Sequence, residues 1–373
     1  MENQSPDFAE FPPVTKAEWL AKISEDLKGE AIEDLNWRIG HLEISPFHHA
    51  GELAELPNPL SVSAGWEIGE DIDAADVFHA NEMALHALQN GVEAPRFLLY
   101  EVLEKHRMAA LLEGVDLSIV SVHFLEQNKN APPLPLLHHY TDVANERGLG
   151  SRELRGSVNW LHDEAAVKAN ALELVEFAIQ KLPNFEVLPV NAGHYYGGEA
   201  GVVNELAATI AGGEKWLAQL SDKGIGAATT NRHLFFSIAV GKNYFLEIAK
   251  IRALKLLWAH VLKGWNCEFV MPPVEARFAS AEQSDDPATN MIHATTQAMS
   301  AIIGGAGRLT VSPPDSSPAK AGFSRRIARN VQHILKMESH LDRVADPAAG
   351  SYFIENLTNK LAAAAWAAFQ KMA

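Results

Sequence analysis

The stretch "LFFSIAVGKNYFLEIAKIRALKLLWAHVLKG" (residues 234–264) carries the first decision about the fold. Residues 234–240 are a strand-like run, and residues 241–264 are the clearest helical stretch of the chain. There Phe245, Ile248, Ala249, Ala253 and Leu256 fall on one stripe, and Glu247 and Lys250 can pair outside it. A strand followed by a long helix is a unit, and what matters is how often it recurs.

It recurs along most of the chain. Strand-like runs appear at 61–68, 96–101, 117–124, 154–160, 185–192, 234–240, 268–276 and 308–312. Helical stretches such as 73–91 and 162–182 fall between nearly all of them. Eight such alternations over about 280 residues suit a (β/α)₈ TIM barrel, an α/β class typically about 250 residues long. A doubly wound open sheet is the alternative. No short-period repeat or low-complexity tract occurs apart from an alanine-rich final helix, expected at 360–373.

The ends divide from this body as an N-terminal arm (1–55), the barrel (56–345) and a C-terminal turn and helix (346–373). In the arm, "TKAEWLAKISEDLKG" (15–29) reads as a short helix, with Thr15 and Glu18 forming a capping box and Gly29 stopping it. Trp19, Leu20, Ile23 and Leu27 form its apolar stripe. The arm can fold back on its own domain or lie on a partner, and Trp19 and Trp37 are its candidate anchors.

Composition narrows the function. The chain has 373 residues, 47% hydrophobic and 21% charged, as in soluble globular proteins. A net charge of −16 argues against nucleic acid and anionic membrane surfaces, though a local basic spot can still take a phosphate. The single cysteine, Cys267, allows no intrachain disulfide and fits a reducing compartment. No apolar run reaches the roughly 18–20 residues of a membrane helix, and the N-terminus lacks the features of a secretory signal. A cytoplasmic location is expected.

Sixteen histidines raise the question of a metal. The pairs His48–His49 and His138–His139 are sequence neighbours that point apart on a helix or strand, and no H-E-x-x-H or CxxC occurs, so no metal site is expected. G-x-S-x-G and G-x-G-x-x-G are also missing. "IIGGAG" (302–307) follows a helix and reads as its stop. "NAGHYYGGEAG" (191–201) is more suggestive, because it lies where a strand passes into a helix, the edge at which barrel enzymes keep catalytic groups. His194, Tyr195 and Tyr196 are possible proton donors there, and Gly197 and Gly198 would admit a ligand close to the backbone. A glycine-rich turn with aromatic caps over the barrel mouth is the competing reading.

Four blocks give the chain a family likeness: "LFFSIAVGKNYFLEIAKIRALKLLW" (234–258), "DDPATNMIHATTQAMSAIIGG" (285–305), "FSRRIARNVQHILKMES" (323–339) and "RVADPAAGSYFIENLT" (343–358). On these the chain resembles the adenosylcobalamin-dependent methylmalonyl-CoA mutases. The resemblance implies a (β/α)₈ substrate barrel. It also shows departures from the catalytic chain. Counting back from "GGEAG" puts Tyr196 where the family has an imidazole, with His194 two residues away, and a family glutamine is matched by Asn159. The segment bearing a substrate-binding arginine looks deleted between Trp160 and Phe185. Counting back from "DDP" sets Pro272, Val274 and Ala276 in place of the alternating Arg, His and Gln that meet the CoA ester. The tyrosine-bearing segment that closes over substrate has no counterpart in "NPLSVSAGWEI".

The family's cobalamin histidine, in Asp-x-His-x-x-Gly, has no match in these residues. Including "EFPPVTKAEWLAKISEDLKG", the sequence is most similar to the small (β) subunit of the heterodimeric enzyme. That likeness implies a non-catalytic, structural chain with no cofactor of its own. Adenosylcobalamin would be bound by the large (α) catalytic subunit, which the arm would contact through Trp19 and Trp37.

Two other readings stay open. One is an active acyl-CoA mutase barrel served by a separate cobalamin chain, with His194, Tyr195, Tyr196 and Asn159 at work. The other is a regulatory acyl-CoA-binding module using Arg325, Arg326 and Arg329, which otherwise pair with carboxylates on a helix surface. A continuous axial channel lined by small or hydroxyl side chains would favour catalysis, and a bulky, filled axis the structural subunit. The closing stretch is a scaffold turn: Asp346-Pro347 start it, Gly350 bends it and Ser351 is placed to cap the last helix.

Overall fold

A computed structural model describes residues 14–49, 51, 64–128, 132–160, 164–315 and 317–372, with residues 164–170 described by backbone alone. The body is built on β3 (Glu67–Asp73), β4 (Ala94–Leu99), β5 (Val122–Glu126), β6 (Gly156–Trp160), β7 (Phe185–Glu186), β8 (Leu188–Asn191), β9 (Leu234–Val240), β10 (Val274–Phe278) and β11 (Arg308–Thr310). They form one sheet in the order β7-β6-β5-β4-β3-β11-β10-β9-β8, and every pair in it is parallel.

β7 and β8 are two pieces of one stave, parted only at Val187. Phe185 pairs with Gly156 on one side and Leu188 with Leu234 on the other, so this stave joins the two edges of the sheet. Eight staves in chain order therefore close into a barrel, and the open-sheet alternative falls away. The break at Val187 has a local cause. The N–H groups of Val187 and Leu188 both donate to the His233 carbonyl at 2.9 Å, which leaves the ladder one register bond short.

The stave at 234–240 matches the expectation residue for residue. The first stave does not: expected at 61–68, it runs Glu67–Asp73, and residues 64–66 are outside any strand while 61–63 fall outside the described residues. Its sequence, EIGEDID, carries four carboxylates and so hides from hydropathy. The seventh stave likewise starts at Val274 rather than at 268.

The outer ring includes α2 (Val77–Gln89), α3 (Lys105–Leu111), α4 (Pro133–Glu146), α5 (Glu164–Lys181), α6 (Gly198–Ser221), α7 (Ala227–Arg232), α8 (Tyr244–Gly264), α9 (Pro287–Gly304) and α10 (Ala321–His333). The apolar core lies between these helices and the outer face of the sheet, with Phe97, Phe124, Val158, Phe236 and Trp258 fully buried in it. α9 shows how sequence sets its ends. Asp286 caps it by accepting from Ala288 and Thr289 N–H at 3.2 and 3.1 Å, and Gly305, at φ +90°, ends it in the left-handed region. "IIGGAG" is thus a helix stop.

α8 corrects a detail of its own periodicity. Glu247 and Lys250 pair at 2.7 Å, but both are buried rather than on an outer face. The C-terminal helix, with α6 and α9, covers α8 on several sides, and only Phe245 of the expected stripe stays half exposed. That C-terminal helix, α11 (Tyr352–Phe369), begins eight residues before the alanine-rich stretch. Its entry is set by "RVADPAAGSYFIENLT". Asp346 pairs with Arg252 of α8, and Glu355 accepts from Arg252 Nη2 at 2.6 Å and from Gly350 N–H at 3.0 Å. Gly350 takes φ +82°, and Ser351 occupies the cap position without making a side-chain capping bond.

In the arm, α1 (Lys16–Asp26) has the full capping box between Thr15 and Glu18 and buries none of its residues. The hairpin β1 (Trp37–Ile39) and β2 (Leu42–Ile44) folds back on its own barrel, burying Ile39 and Ile44 in the core. Lys360 of α11 donates to the Glu43 carbonyl at 2.9 Å and holds the hairpin there.

Candidate functional site

Register fixes which side chains meet on the barrel axis. Asp71 lies beside Arg96, Arg96 beside His123, and His123 beside Ser157, while Glu275 sits between Ser237 and Arg308. Cross-strand partners point to the same face of a sheet, so these residues converge inside the barrel. They make a connected charge network. Asp71 accepts two bonds from Arg96, both 2.8 Å, and Glu275 pairs with Arg96 and, at 2.7 Å, with Arg308. Arg308 also donates to the His123 ring, 2.8 Å from Nε2, and Ser157 Oγ lies 2.9 Å from His123 Nδ1. Arg96, His123, Glu275 and Arg308 are all at most 4% exposed.

Burial decides the charges here. It pushes the His123 imidazole well below its usual range, and Arg308 and Arg96 push the same way, so His123 is neutral near pH 7. Burial raises the Glu186 carboxyl to about 8, with Arg308 opposing and Glu67 assisting. The network thus holds two guanidiniums against Asp71 and Glu275, with a neutral imidazole as a further acceptor. It also divides the axis. Asp71 and Arg277 line a cavity of about 540 Å³ at the C-terminal mouth, whereas His123 and Arg308 line one of about 500 Å³ at the N-terminal mouth. The second cavity also carries Lys255, whose ammonium is pushed down to about 8 by burial and by Arg252.

The alternating positions of the seventh stave need correcting. Val274 and Ala276 belong to the outer apolar core, and Glu275 and Arg277 face the axis. With period-2 alternation, the inward positions of this stave therefore carry charge.

At the C-terminal mouth, β8 leads into a 3₁₀ turn, Ala192–Tyr195, that presents the suggestive aromatic cluster. His194 and Tyr196 line the 540 Å³ cavity. Tyr196 donates to Glu282 Oε1 at 3.0 Å, and the Lys250 ammonium lies 5.1 Å from its ring centroid. Burial, then Glu247, hold the Tyr196 phenol protonated by raising its pKa. Gly241 has to be glycine here, since a Cβ would strike that hydroxyl. Tyr195 is half exposed and outside the cavity lining. Asn159 is buried below, donating to Asn191 Oδ1 at 2.8 Å.

Arg325 and Arg329 also reach this cavity, but as partners of Glu70, at 2.7 and 2.8 Å. Arg326 is exposed and lies 5.6 Å over the Phe323 ring. Of the two arm tryptophans, Trp37 rests partly buried against its own core, and Trp19, 36% exposed, meets Phe47 edge-on at 5.5 Å. Among the described residues no group of three or more His, Cys, Asp or Glu is placed to hold a metal, and no helix is long and apolar enough to cross a membrane.

The family profile described as methylmalonyl-CoA mutase matches residues 102–373. The chain is 32% identical to the methylmalonyl-CoA mutase small subunit of Porphyromonas gingivalis over 97% of its own length and 63% of that protein's.

The chain belongs to the methylmalonyl-CoA mutase family.

A second small subunit, from Streptomyces virginiae, is 31% identical over 98% of this chain and 64% of that protein. The large subunit from Porphyromonas gingivalis is 30% identical over 69% of this chain and 38% of that protein. The chain thus spans a little under two thirds of the small subunits it matches.

Sequence reading missed Arg96, His123, Glu275, Arg277 and Arg308. A signal was present: parallel barrel strands ordinarily read as near-continuous apolar runs, and charges at alternate positions of "VEARF" and "EIGEDID" interrupt them.

Proposed function

We propose that this chain is the small, structural subunit of a heterodimeric methylmalonyl-CoA mutase and carries out no chemistry itself. The large subunit would bind adenosylcobalamin and rearrange methylmalonyl-CoA to succinyl-CoA. The observation that carries the reading is the filled barrel axis. An acyl-CoA arm lying along it would have to part Arg96, Glu275 and Arg308, and breaking a buried ion pair costs about 3–5 kcal/mol. Alignment length supports the subunit role. The two small subunits match over 97–98% of this chain, whereas the large subunit matches over 69%.

The arm would supply part of the contact with the large subunit. α1 keeps an amphipathic stripe of Trp19, Leu20, Ile23 and Leu27 with no residue buried on its own chain. Trp37 would act from behind, by fixing the hairpin. A cytoplasmic setting, with the single Cys267 free, belongs to the same proposal.

The test mixes the purified chain with the large subunit, and separately with an isolated cobalamin domain, adenosylcobalamin and methylmalonyl-CoA. A stable complex with the large subunit and no turnover in the second mixture is the expected pair of results. Turnover in the second mixture that disappears in His194→Ala would overturn the proposal in favour of an active barrel. Failure to associate with the large subunit would overturn the subunit role.

A further inference from the structure

The C-terminal mouth holds a cation that the rest of the fold does not use. Five charged side chains line its cavity: Glu70, Asp71, Arg277, Arg325 and Arg329. Both carboxylates are already engaged, Glu70 by Arg325 and Arg329, and Asp71 by the two-pronged grip of Arg96. Arg277 makes no hydrogen bond or ion pair with any described residue, although only part of it is exposed. It extends beside the 3₁₀ turn, its Nη2 3.9 Å from where a Cβ on Gly193 would lie.

Burying a guanidinium is costly, and the nearby Arg96 adds repulsion that Asp71, already gripped by Arg96, only partly offsets. An arriving anion would offset both. This is a local excess of positive charge in a chain whose net charge is −16, so it runs against the composition as a whole. The guanidinium is planar and presents paired donors that match a carboxylate or phosphate by two parallel bonds. The volume, about 540 Å³, suits a small molecule. Ser280, Thr310 and Ser312 add hydroxyls to the wall, and His194 an imidazole.

We infer that this cavity binds a small organic anion, a carboxylate or phosphate monoester, through a bidentate contact with Arg277. The ligand is a free anion rather than an acyl-CoA, because the network of Arg96, Glu275 and Arg308 closes the axis beneath it. No bond is made or broken in it. The inference goes beyond the subunit role and does not depend on it, since the site lies wholly within this chain.

The test is calorimetry on the full chain at pH 7 and low salt, titrating inorganic phosphate in one arm and malonate in the other. One-to-one binding of at least one anion is expected, and the tighter arm identifies the group preferred. Arg277→Gln should weaken it at least tenfold. Arg277→Lys, which keeps the charge but not the fork, should give an intermediate loss and guards against a misfolded glutamine variant. Arg326→Gln, on the exposed face over Phe323, should leave binding unchanged. No heat from either anion, or equal binding by wild type and both Arg277 variants, would overturn the inference.

Discussion

Replacing Glu275 by glutamine should be among the most damaging single changes in the molecule. The carboxylate is 1% exposed and holds two guanidiniums, Arg96 and Arg308. The losses fall unequally. Arg96 keeps both bonds to Asp71, but Arg308 keeps hydrogen bonds only to His123 and Ser157, two neutral acceptors, with Glu67 and Asp71 acting on it from further away. Leaving a buried charge without its partner costs about 3–5 kcal/mol, and the retained partner of Arg96 points to the lower half of that range. Against a total stability on the order of 5–15 kcal/mol, this corresponds to a melting temperature lower by roughly 5–15 °C. Thermal unfolding followed by circular dichroism is the assay, with Glu275→Leu combined with Arg308→Met as the companion. Removing both charges together should recover most of the loss, because replacing a buried pair by apolar groups of similar volume is often neutral or better. A Glu275→Gln melting point within about 1 °C of wild type, or a double variant as damaged as the single, would refute the reasoning.

Other expectations follow from the same physics. Gly156 has φ +144° and no room for a Cβ against the Val122 carbonyl, so Gly156→Ala should leave little soluble protein on expression. Thr15→Ala removes the capping box of α1 at a cost of about 1 kcal/mol to that helix alone. With none of α1 buried, hydrogen exchange should rise over residues 16–26 while the global melting temperature stays put. Glu186, raised to about 8, binds a proton in the folded chain that it has lost in the unfolded one above about pH 4.5, so its share of stability is lost as pH rises through 8. Glu186→Gln should therefore show a shallower fall in melting temperature between pH 6.5 and 8.5 than wild type, and an equal fall would discount the raised pKa.

Much of the scaffold was legible because its signals are local. The run at 234–240 is apolar throughout, the "DDP" turn carries an aspartate cap before proline, and Gly305 sits where a helix has to stop. The axis was illegible because its partners are remote in sequence. Arg96 and Glu275 are apolar-strand anomalies one by one, and only closure of the barrel makes them a pair. The same holds for Glu70 and Arg329, which meet across 259 positions of chain. Register was the other loss. Counting from a distant motif fixes position but not facing, and with period-2 alternation an offset of one residue exchanges Val274 and Ala276 for Glu275 and Arg277. His194 and Tyr196 were found because a strand–helix junction in a barrel marks its mouth. Arg277 was not, although its alternation with Glu275 in "VEARF" set both on one face of the strand.

In the proposed subunit, a charge network closes this barrel to acyl-CoA and leaves the chemistry to the partner. Equilibrium dialysis of methylmalonyl-CoA against the purified heterodimer, with the chain alone in parallel, tests it most directly. One acyl-CoA bound per heterodimer and none by the chain alone is the expected result, and two per heterodimer would overturn the proposed closure of this barrel.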